Sequence, residues 1–298
     1  MSDNSQNQDT PAGFAYALTA YVLWGFLPLF MKLVAHIPPV EVVAHRVIWS
    51  LPIAGALLLI SGRTADLKAA FKSPKTLVMA FVTAVLVAAN WSIYVWAIAT
   101  DHALDASLGY YINPLFSIFL ASVLLREKLN TSQISALSLA VIAVLILTVD
   151  AGKLPVAALG LTLSWGIYAY FKRSLPVGPN QGFMLEVLIL FPFALGYVVY
   201  LALQGEGSFL STPNDTALLF GCGVVTAVPL MFYANGAKLL RLTTIAMMQY
   251  IAPTMIFVIA VFVFNEPFTS AKMIAFPLIW LSLIVYSVSL FRARRCYI

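Results

Sequence analysis

Long apolar blocks, separated by short polar connections, dominate this chain of 298 residues and constrain its fold more than any other feature. A helix that crosses a lipid bilayer needs about 20 mostly apolar residues, and we count ten such blocks. Only 10% of the residues are charged, whereas about 25% is usual in a soluble domain. So little charge cannot cover the surface of a soluble protein of this length. The sequence therefore predicts a polytopic membrane protein.

The apolar blocks are typical of helices. Residues 136–149 and 254–264, for example, are apolar at successive positions, whereas the strands of a transmembrane barrel alternate between apolar and polar side chains. We therefore predict an all-α integral membrane protein with ten transmembrane helices. The predicted spans are 14–34, 40–60, 76–100, 104–125, 132–149, 155–173, 182–203, 216–237, 243–264 and 271–291.

Basic residues predict the orientation of the chain. Most of the 17 Lys and Arg residues fall in alternate connections between the spans or in the C-terminal tail. Basic connections remain on the cytoplasmic side of a membrane. We therefore expect both termini in the cytoplasm, with tails at 1–13 and 292–298.

The two halves of the chain resemble each other. Residues 111–114 (YINP) recur as 250–253 (YIAP), 139 residues later, and the same offset carries Glu127 onto Glu266, which we interpret as ties at helix ends. The halves, 14–150 and 151–291, each contain five predicted spans. Because five is odd, the second half enters the membrane from the opposite side. This predicts two inverted-topology five-helix repeats around a central cavity, an architecture that recurs in secondary transporters.

Four segments resemble a known family. Residues 41–50 (EVVAHRVIWS), 90–91 (NW), 106–114 (ASLGYYINP) and 249–254 (QYIAPT) are similar to those of RarD-type permeases, in the EamA branch of the drug/metabolite transporter superfamily. The match departs at Ala252, where a glycine is more usual. The resemblance implies a location in the bacterial inner membrane, ten helices in two inverted halves, and a cavity walled mainly by spans one to four and six to nine. It also implies transport of small metabolites; such permeases are often labelled for chloramphenicol sensitivity.

Ionisable residues inside the spans are candidates for function, because burying them in a membrane is costly. Glu41, His45 and Trp49 share one face of the second span, and Arg46 lies on the neighbouring strip. Glu186 is the only charge in the seventh span, and an offset of 141 residues carries His45 onto it. We predict that Arg46 or His45 faces Glu186 across the cavity. The alternative is a structural ion pair between the halves, and we interpret Glu41 as a solvated span end.

The predicted pair suits an amino-acid-like solute. The carboxylate of the solute would bind the planar fork of Arg46, and its ammonium group would bind Glu186. The candidates for carrying a coupling proton are Glu186 and His45. Aromatic and amide side chains would line the rest of the pocket, although many such residues serve as anchors at the membrane interface. These predicted lining residues are Trp49, Asn90, Trp91, Tyr94, Tyr110, Tyr111, Asn113, Gln249 and Tyr250.

Two prolines at equivalent positions, Pro114 and Pro253, are predicted to lie inside helices, to kink them and to act as hinges. No nucleotide-binding, metal-binding or hydrolase motif occurs in the sequence. We therefore predict no cofactor, no metal, no nucleic-acid partner and no enzyme activity. The expected function is that of a secondary transporter for an amino-acid-like or amphipathic drug-like solute, working by alternating access and driven by protons or exchange rather than ATP. A sensor or scaffold, or a lipid-modifying enzyme, is the alternative; the oligomeric state stays open.

Overall fold

The computed structural model describes residues 9–60, 62, 64–124, 129–240 and 242–295. Within these ranges the ordered elements are twelve helices, and no strand occurs there. The helices are α1 (Pro11–Leu33), α2 (Pro39–Ile60), α3 (Thr64–Phe71), α4 (Pro74–Ala99), α5 (Ala103–Leu124), α6 (Thr131–Ala151), α7 (Val156–Ser174), α8 (Pro179–Gln204), α9 (Pro213–Lys238), α10 (Leu242–Met248), α11 (Ile251–Phe262) and α12 (Ser270–Arg295).

Local sequence signals account for several helix ends. Asn130 and Gln133 form a reciprocal capping box at the start of α6, in which each side chain accepts a hydrogen bond from the other residue's backbone N–H. The same helix ends at Gly152, and α8 ends at Gly205, with φ of 63° and 73°, respectively. Glycine adopts this left-handed conformation at little cost. The connections are short for this reason.

The prediction of multiple spanning helices is confirmed. Among the residues that the structure describes, seven helices are long and apolar enough to cross a membrane, and α11 is a shorter apolar helix. Every predicted span except the ninth coincides with a single helix, with ends that agree to about four residues. Large apolar side chains, such as Leu59, Val149 and Leu203, are exposed on the outside of the bundle, where lipid would cover them. The chain is a multi-pass membrane protein.

The ninth predicted span is wrong as a single helix. It divides into α10 and α11, with Gln249 and Tyr250 in a turn between them. Pro253 is consequently in the first turn of α11, not inside a helix as we predicted. A proline ring clashes with the carbonyl four residues earlier, here Gln249, and proline is tolerated in a first turn, where the N–H has no helical partner. Pro114, by contrast, does lie inside the continuous helix α5.

The helices of the two halves interleave. Helix α1 packs against α9 and α11, and α7 packs against α4 and α5; α2 contacts α8 and α9, and α6 contacts α12. The main buried cluster accordingly draws its side chains from both halves. The interface between the halves is therefore the core of the molecule, and the buried polar residues lie there.

Candidate functional site

Arg46 is the centre of the buried polar interior. It lies on α2, and only 3% of its surface is exposed. Its Nε donates a hydrogen bond to Oγ1 of Thr226 on α9 over 2.9 Å. The guanidinium carbon is 4.7 Å from the centroid of the Trp91 ring on α4. Thr226 in turn donates its hydroxyl proton to the carbonyl of Cys222 over 2.7 Å, so its position does not depend on Arg46.

The charge of Arg46 is not neutralised by any carboxylate in the described part of the chain. None of the ion pairs formed there includes Arg46, and the buried Nη1 atom of its guanidinium has no hydrogen-bond acceptor among those residues. Removing such an ion from water costs several kcal/mol. One charge-assisted hydrogen bond returns about 1.5–3 kcal/mol, and a desolvated contact with an indole ring about 2 kcal/mol. Arg46 is therefore a buried cation whose compensation is incomplete.

Other polar groups face the same interior. Tyr94 of α4, one turn after Trp91, and Tyr110 of α5 lie near Arg46, and the rings of these tyrosines are 6.0 Å apart. The buried hydroxyls of Ser50 and Tyr94 form no hydrogen bond to the residues described. Ser50 follows Arg46 by one helical turn and so lies on the same face of α2. We use the name Arg46 site for Arg46, Trp91, Tyr94, Tyr110 and Thr226.

Asn90 positions one wall of the Arg46 site. Its Oδ1 accepts a hydrogen bond from the Tyr110 hydroxyl over 3.3 Å. Its Nδ2 donates to Oγ of Ser164, over 3.0 Å, and to the carbonyl of Leu161, over 3.3 Å. Both ends of the Asn90 amide are thus occupied. Asn90 therefore acts here by holding Tyr110 against α7. Asn113 is one turn after Tyr110 on α5, and its buried Oδ1 has no donor in the described ranges.

His45 faces away from the Arg46 site. Its ring packs on Phe209 at 4.8 Å between centroids, and its Nδ1 accepts a hydrogen bond from Trp49 Nε1 over 3.1 Å. Trp49 also contacts Phe209 and Phe220. The predicted shared face of His45 and Trp49 is confirmed by their hydrogen bond, but this face meets the connection after α8 and the start of α9.

The predicted pairing of Glu186 with Arg46 or His45 is wrong. The Glu186 carboxylate, 1% exposed, accepts from Lys172 Nζ over 2.6 Å and from the Tyr168 hydroxyl over 3.3 Å. Tyr168 and Lys172 are one turn apart on α7 and present their polar groups to the same carboxylate. Lys172 is two residues before the end of α7. Its side chain is only 20% exposed.

The reason for this error is the antiparallel packing of α2 and α8. Glu41, near the start of α2, contacts residues that follow the end of α8, so the two helices begin at opposite ends of the bundle. Arg46 and Glu186 each lie seven residues after the first residue of their helix, Pro39 or Pro179. At 1.5 Å per residue, each is about 10 Å from its own helix start. Equivalent positions in antiparallel helices therefore occupy different depths.

Glu41 is not the solvated span end that we predicted. It is 1% exposed, and its carboxylate accepts hydrogen bonds from the backbone N–H groups of Ser208 and Phe209 and from the Ser208 hydroxyl, over 2.7, 3.3 and 2.9 Å. Glu41 thus closes the connection after α8. Burying a carboxylate requires such donors, and the loop backbone supplies them.

Glu266 performs the role that we predicted for it. Its carboxylate accepts hydrogen bonds from the N–H groups of Ala103 and Leu104 over 2.6 and 3.0 Å, and thereby caps α5. Its repeat mate, Glu127, lies outside the described residues.

The remaining predicted lining residues lie elsewhere in the bundle. The Tyr111 hydroxyl is 2.7 Å from Oγ1 of Thr254 on α11, and its ring meets Trp280 of α12 edge to face. Gln249 and Tyr250, half-buried, occupy the break between α10 and α11. The structure therefore gathers Arg46, Trp91, Tyr94 and Tyr110, with Asn90 behind them, and places Tyr111 against α11 and α12.

Sequence reasoning missed three residues that contact the predicted charges: Thr226, Tyr168 and Lys172. A signal existed for each of them. Thr226 is an isolated polar residue in an apolar stretch of α9, and Tyr168 and Lys172 have the one-turn spacing of a pair on one helix face.

The fold and the site together define a class: a multi-pass helical membrane protein whose halves enclose a buried polar interior. The sequence profile of the EamA-like transporter family matches residues 11–149 and 154–288. The chain belongs to this family, whose members are membrane transporters. The resemblance to RarD-type permeases is thereby confirmed at the level of the family.

Curated relatives support the assignment over nearly the whole chain. An uncharacterized transporter, YojE, from Bacillus subtilis (strain 168) is 36% identical and covers 97% of this chain and 98% of its own length. Protein RarD from Salmonella typhi is also 36% identical, with the same coverage of both chains. A solved crystal structure has a TM-score of 0.62 at 18% identity, over 97% of this chain and 100% of the other; this likeness concerns the fold alone.

Proposed function

We propose that this protein is a secondary transporter that moves a small organic metabolite across the bacterial inner membrane by alternating access. The observation that carries the proposal is the buried, incompletely compensated charge of Arg46 at the interface between the halves. Ionisable residues in membrane interiors mark substrate or ion pathways. The relatives, named transporters and RarD, agree with transport rather than with an enzyme, a sensor or a scaffold.

We propose that the halves, 14–150 and 151–291, are inverted repeats. The packing supports this, because α1 contacts α9 and α11 while their counterparts α7, α4 and α5 contact one another in the same way. Alternating access also requires the two halves to have different conformations at equivalent positions, and the helix equivalent to α5 shows such a difference. Helix α5 is continuous through Tyr110 and Tyr111, whereas the equivalent Gln249 and Tyr250 separate α10 from α11. In the opposite-facing state the break would move to α5, with Pro114 as its hinge.

In this mechanism Arg46 anchors an anionic group of the substrate. Trp91, Tyr94 and Tyr110 form the adjacent wall, and Asn113 adds an acceptor. The other predicted lining residues contact the solute in further states of the cycle, when the helices have moved; they are His45, Trp49, Asn90, Tyr111, Gln249 and Tyr250. The central cavity stays a prediction, because Arg46 is closed to solvent in this conformation.

We propose Glu186 as the residue that couples solute movement to protons or to the exchange of a second solute. A proton on its carboxylate would cancel its attraction for Lys172. The two side chains join α7 and α8, so release of Lys172 would free these helices to separate. Such a change needs no nucleotide and no cofactor.

Solute counterflow in proteoliposomes tests the transport function. The panel should contain amino acids, organic acids, amines and chloramphenicol, with wild-type protein, Arg46→Gln and Lys153→Gln. Lys153 is an exposed cation away from the site and serves as the matched control. We expect counterflow of at least one solute with wild type and Lys153→Gln, and none with Arg46→Gln that elutes as a single species. Counterflow retained by Arg46→Gln, or absent for wild type over the whole panel, would contradict the proposal.

Thiol labelling of intact cells tests the topology. Lys75→Cys and Lys153→Cys place exposed thiols in connections that we predict on opposite sides; the native Cys222 and Cys296 are replaced by alanine. A membrane-impermeant maleimide should label Lys153→Cys in intact cells, and Lys75→Cys only after permeabilisation. The reverse pattern would contradict cytoplasmic termini, and labelling of both variants in intact cells would contradict the odd number of spans that we predict between the two positions.

A further inference from the structure

We infer that the substrate is a small organic anion, one carboxylate or similar oxyanion on an aromatic or apolar body, and not a zwitterion or an amine. This inference rests on the proposed function and narrows it. The amino-acid-like solute that the sequence suggested requires an anionic partner for its ammonium group. The structure assigns the nearby buried carboxylates to other partners.

Each buried carboxylate in the described ranges is already satisfied. Glu186 accepts from Lys172 and Tyr168. Glu41 accepts from the backbone and hydroxyl of residue 208, and Glu266 accepts from two backbone N–H groups at the start of α5. An ammonium group would have to displace one of these donors and leave it unsatisfied. The substrate charge that the described interior can still accommodate is therefore negative.

At the Arg46 site, and at Ser50 on the same face of α2, the groups that lack partners among the described residues include one guanidinium donor and two hydroxyls that can donate. The Nη1 atom of Arg46 is buried and has no acceptor within the part of the chain that the structure describes, and the hydroxyls of Ser50 and Tyr94 also lack hydrogen bonds there. Ser50 shares the helix face of Arg46, and Tyr94 lies near Arg46, one turn after Trp91 on α4. A carboxylate has two oxygens that accept several hydrogen bonds at once. The donor set thus matches an oxyanion, and Arg46 provides a planar fork for it.

The surroundings of these donors suit an apolar or aromatic body. The Trp91 ring lies beneath the guanidinium, and the rings of Tyr94 and Tyr110 are adjacent to each other. Flat aromatic faces contact planar or aliphatic groups favourably but select weakly among their shapes. We therefore expect charge to determine the substrate class and the aromatic wall to favour solutes larger than acetate.

Four matched compounds test the inference: 3-phenylpropionate, 3-phenylpropanamide, L-phenylalanine and phenethylamine. They share a phenylethyl body and differ in the charge that they carry at neutral pH. Thermal-shift titrations of the purified full-length protein give the affinity, because a ligand bound only to the native state raises its apparent stability. We expect 3-phenylpropionate to bind about 10–100-fold more tightly than the amide, the difference that a charge-assisted hydrogen bond makes, and also more tightly than the other two compounds.

Two substitutions locate the binding and guard against a folding defect. Arg46→Gln should abolish the preference for the carboxylate over the amide, Arg46→Lys should retain part of it, and Lys153→Gln should match wild type. The same compounds are then tested for counterflow. Tighter binding of phenylalanine or phenethylamine, no binding of the carboxylate, or a preference that survives Arg46→Gln would each overturn the inference. Counterflow of another solute would leave the transport function intact in those cases.

The opposite failure is also recognisable. Binding of 3-phenylpropionate that depends on Arg46, without counterflow of any compound, would support the anion site and contradict transport.

Discussion

Replacing Arg46 by methionine should make the protein more stable while it abolishes substrate binding. Methionine is unbranched and flexible, so it can occupy most of the space that the aliphatic part of Arg46 fills and keep a contact with Trp91. The substitution removes the charge and the hydrogen bond to Thr226. The Thr226 hydroxyl keeps its bond to the Cys222 carbonyl, so the change leaves no newly unsatisfied donor.

The expected size follows from the contacts of Arg46. Burying the charge costs several kcal/mol, here taken as about 5 kcal/mol. The hydrogen bond to Thr226 offsets about 2 kcal/mol and the contact with Trp91 about 2 kcal/mol. The free energy of unfolding should thus rise by about 1 kcal/mol in Arg46→Met. For a protein somewhat smaller than this one, such a change raises the melting temperature by about 2–4 °C.

Thermal unfolding in detergent, monitored by intrinsic tryptophan fluorescence at one fixed scan rate, measures this difference. Lys153→Met is the matched control, because it removes an exposed cation and should leave the melting temperature unchanged. A fall of several degrees in Arg46→Met, with the control unchanged, would refute a net destabilising effect of the buried Arg46 charge. It would mean that Arg46 is fully compensated in the native protein and holds the helices together.

Three further predictions concern stability. Glu186→Gln and Lys172→Met each leave one buried ion without its partner and should lower the free energy of unfolding by about 3–5 kcal/mol. The double variant should recover most of the lost stability. Equal losses in all three variants would contradict the pairing of Glu186 with Lys172. Gly223→Ala places a methyl group 2.3 Å from a backbone carbon of α2 and should lower the free energy of unfolding by about 1–3 kcal/mol. Gly196→Ala meets no neighbouring atom within 4 Å and should leave the stability unchanged or raise it slightly. The melting temperatures of the two variants measure the difference. Glu266→Gln should speed hydrogen exchange in the first turn of α5 by about 10-fold, measured by mass spectrometry, and unchanged exchange there would rule out the cap.

Much of the fold was predictable because membrane insertion depends on local composition. Each apolar block carries enough hydrophobic length to form its own helix, whatever its neighbours do. Arg46 was predictable as a candidate for the same reason: a charge inside an apolar span stands out in the sequence. The pairing of helices between the halves was not predictable in detail, since it depends on contacts between residues far apart in the chain.

The proline motifs show how local sequence can be insufficient. Pro114 and Pro253 occupy equivalent positions in nearly identical motifs, yet one lies inside a continuous helix and the other follows a break. The same local preference thus has two outcomes, and packing against different neighbours selects between them. The motif alone therefore does not determine whether the helix continues or breaks at the proline, and the hinge role of both prolines stays a prediction.

The sequence by itself determined that the chain crosses a membrane many times and that Arg46 and Glu186 are buried charges, because both properties follow from hydropathy along a single span. Only the tertiary structure decided their partners. Helices α2 and α8 run antiparallel, so residues at equivalent positions lie at different depths. Glu186 pairs with Lys172, and Arg46 forms no ion pair with the carboxylates of the described residues. The physical reason is that electrostatic attraction depends on distance in space, which the spacing of residues along the chain does not specify.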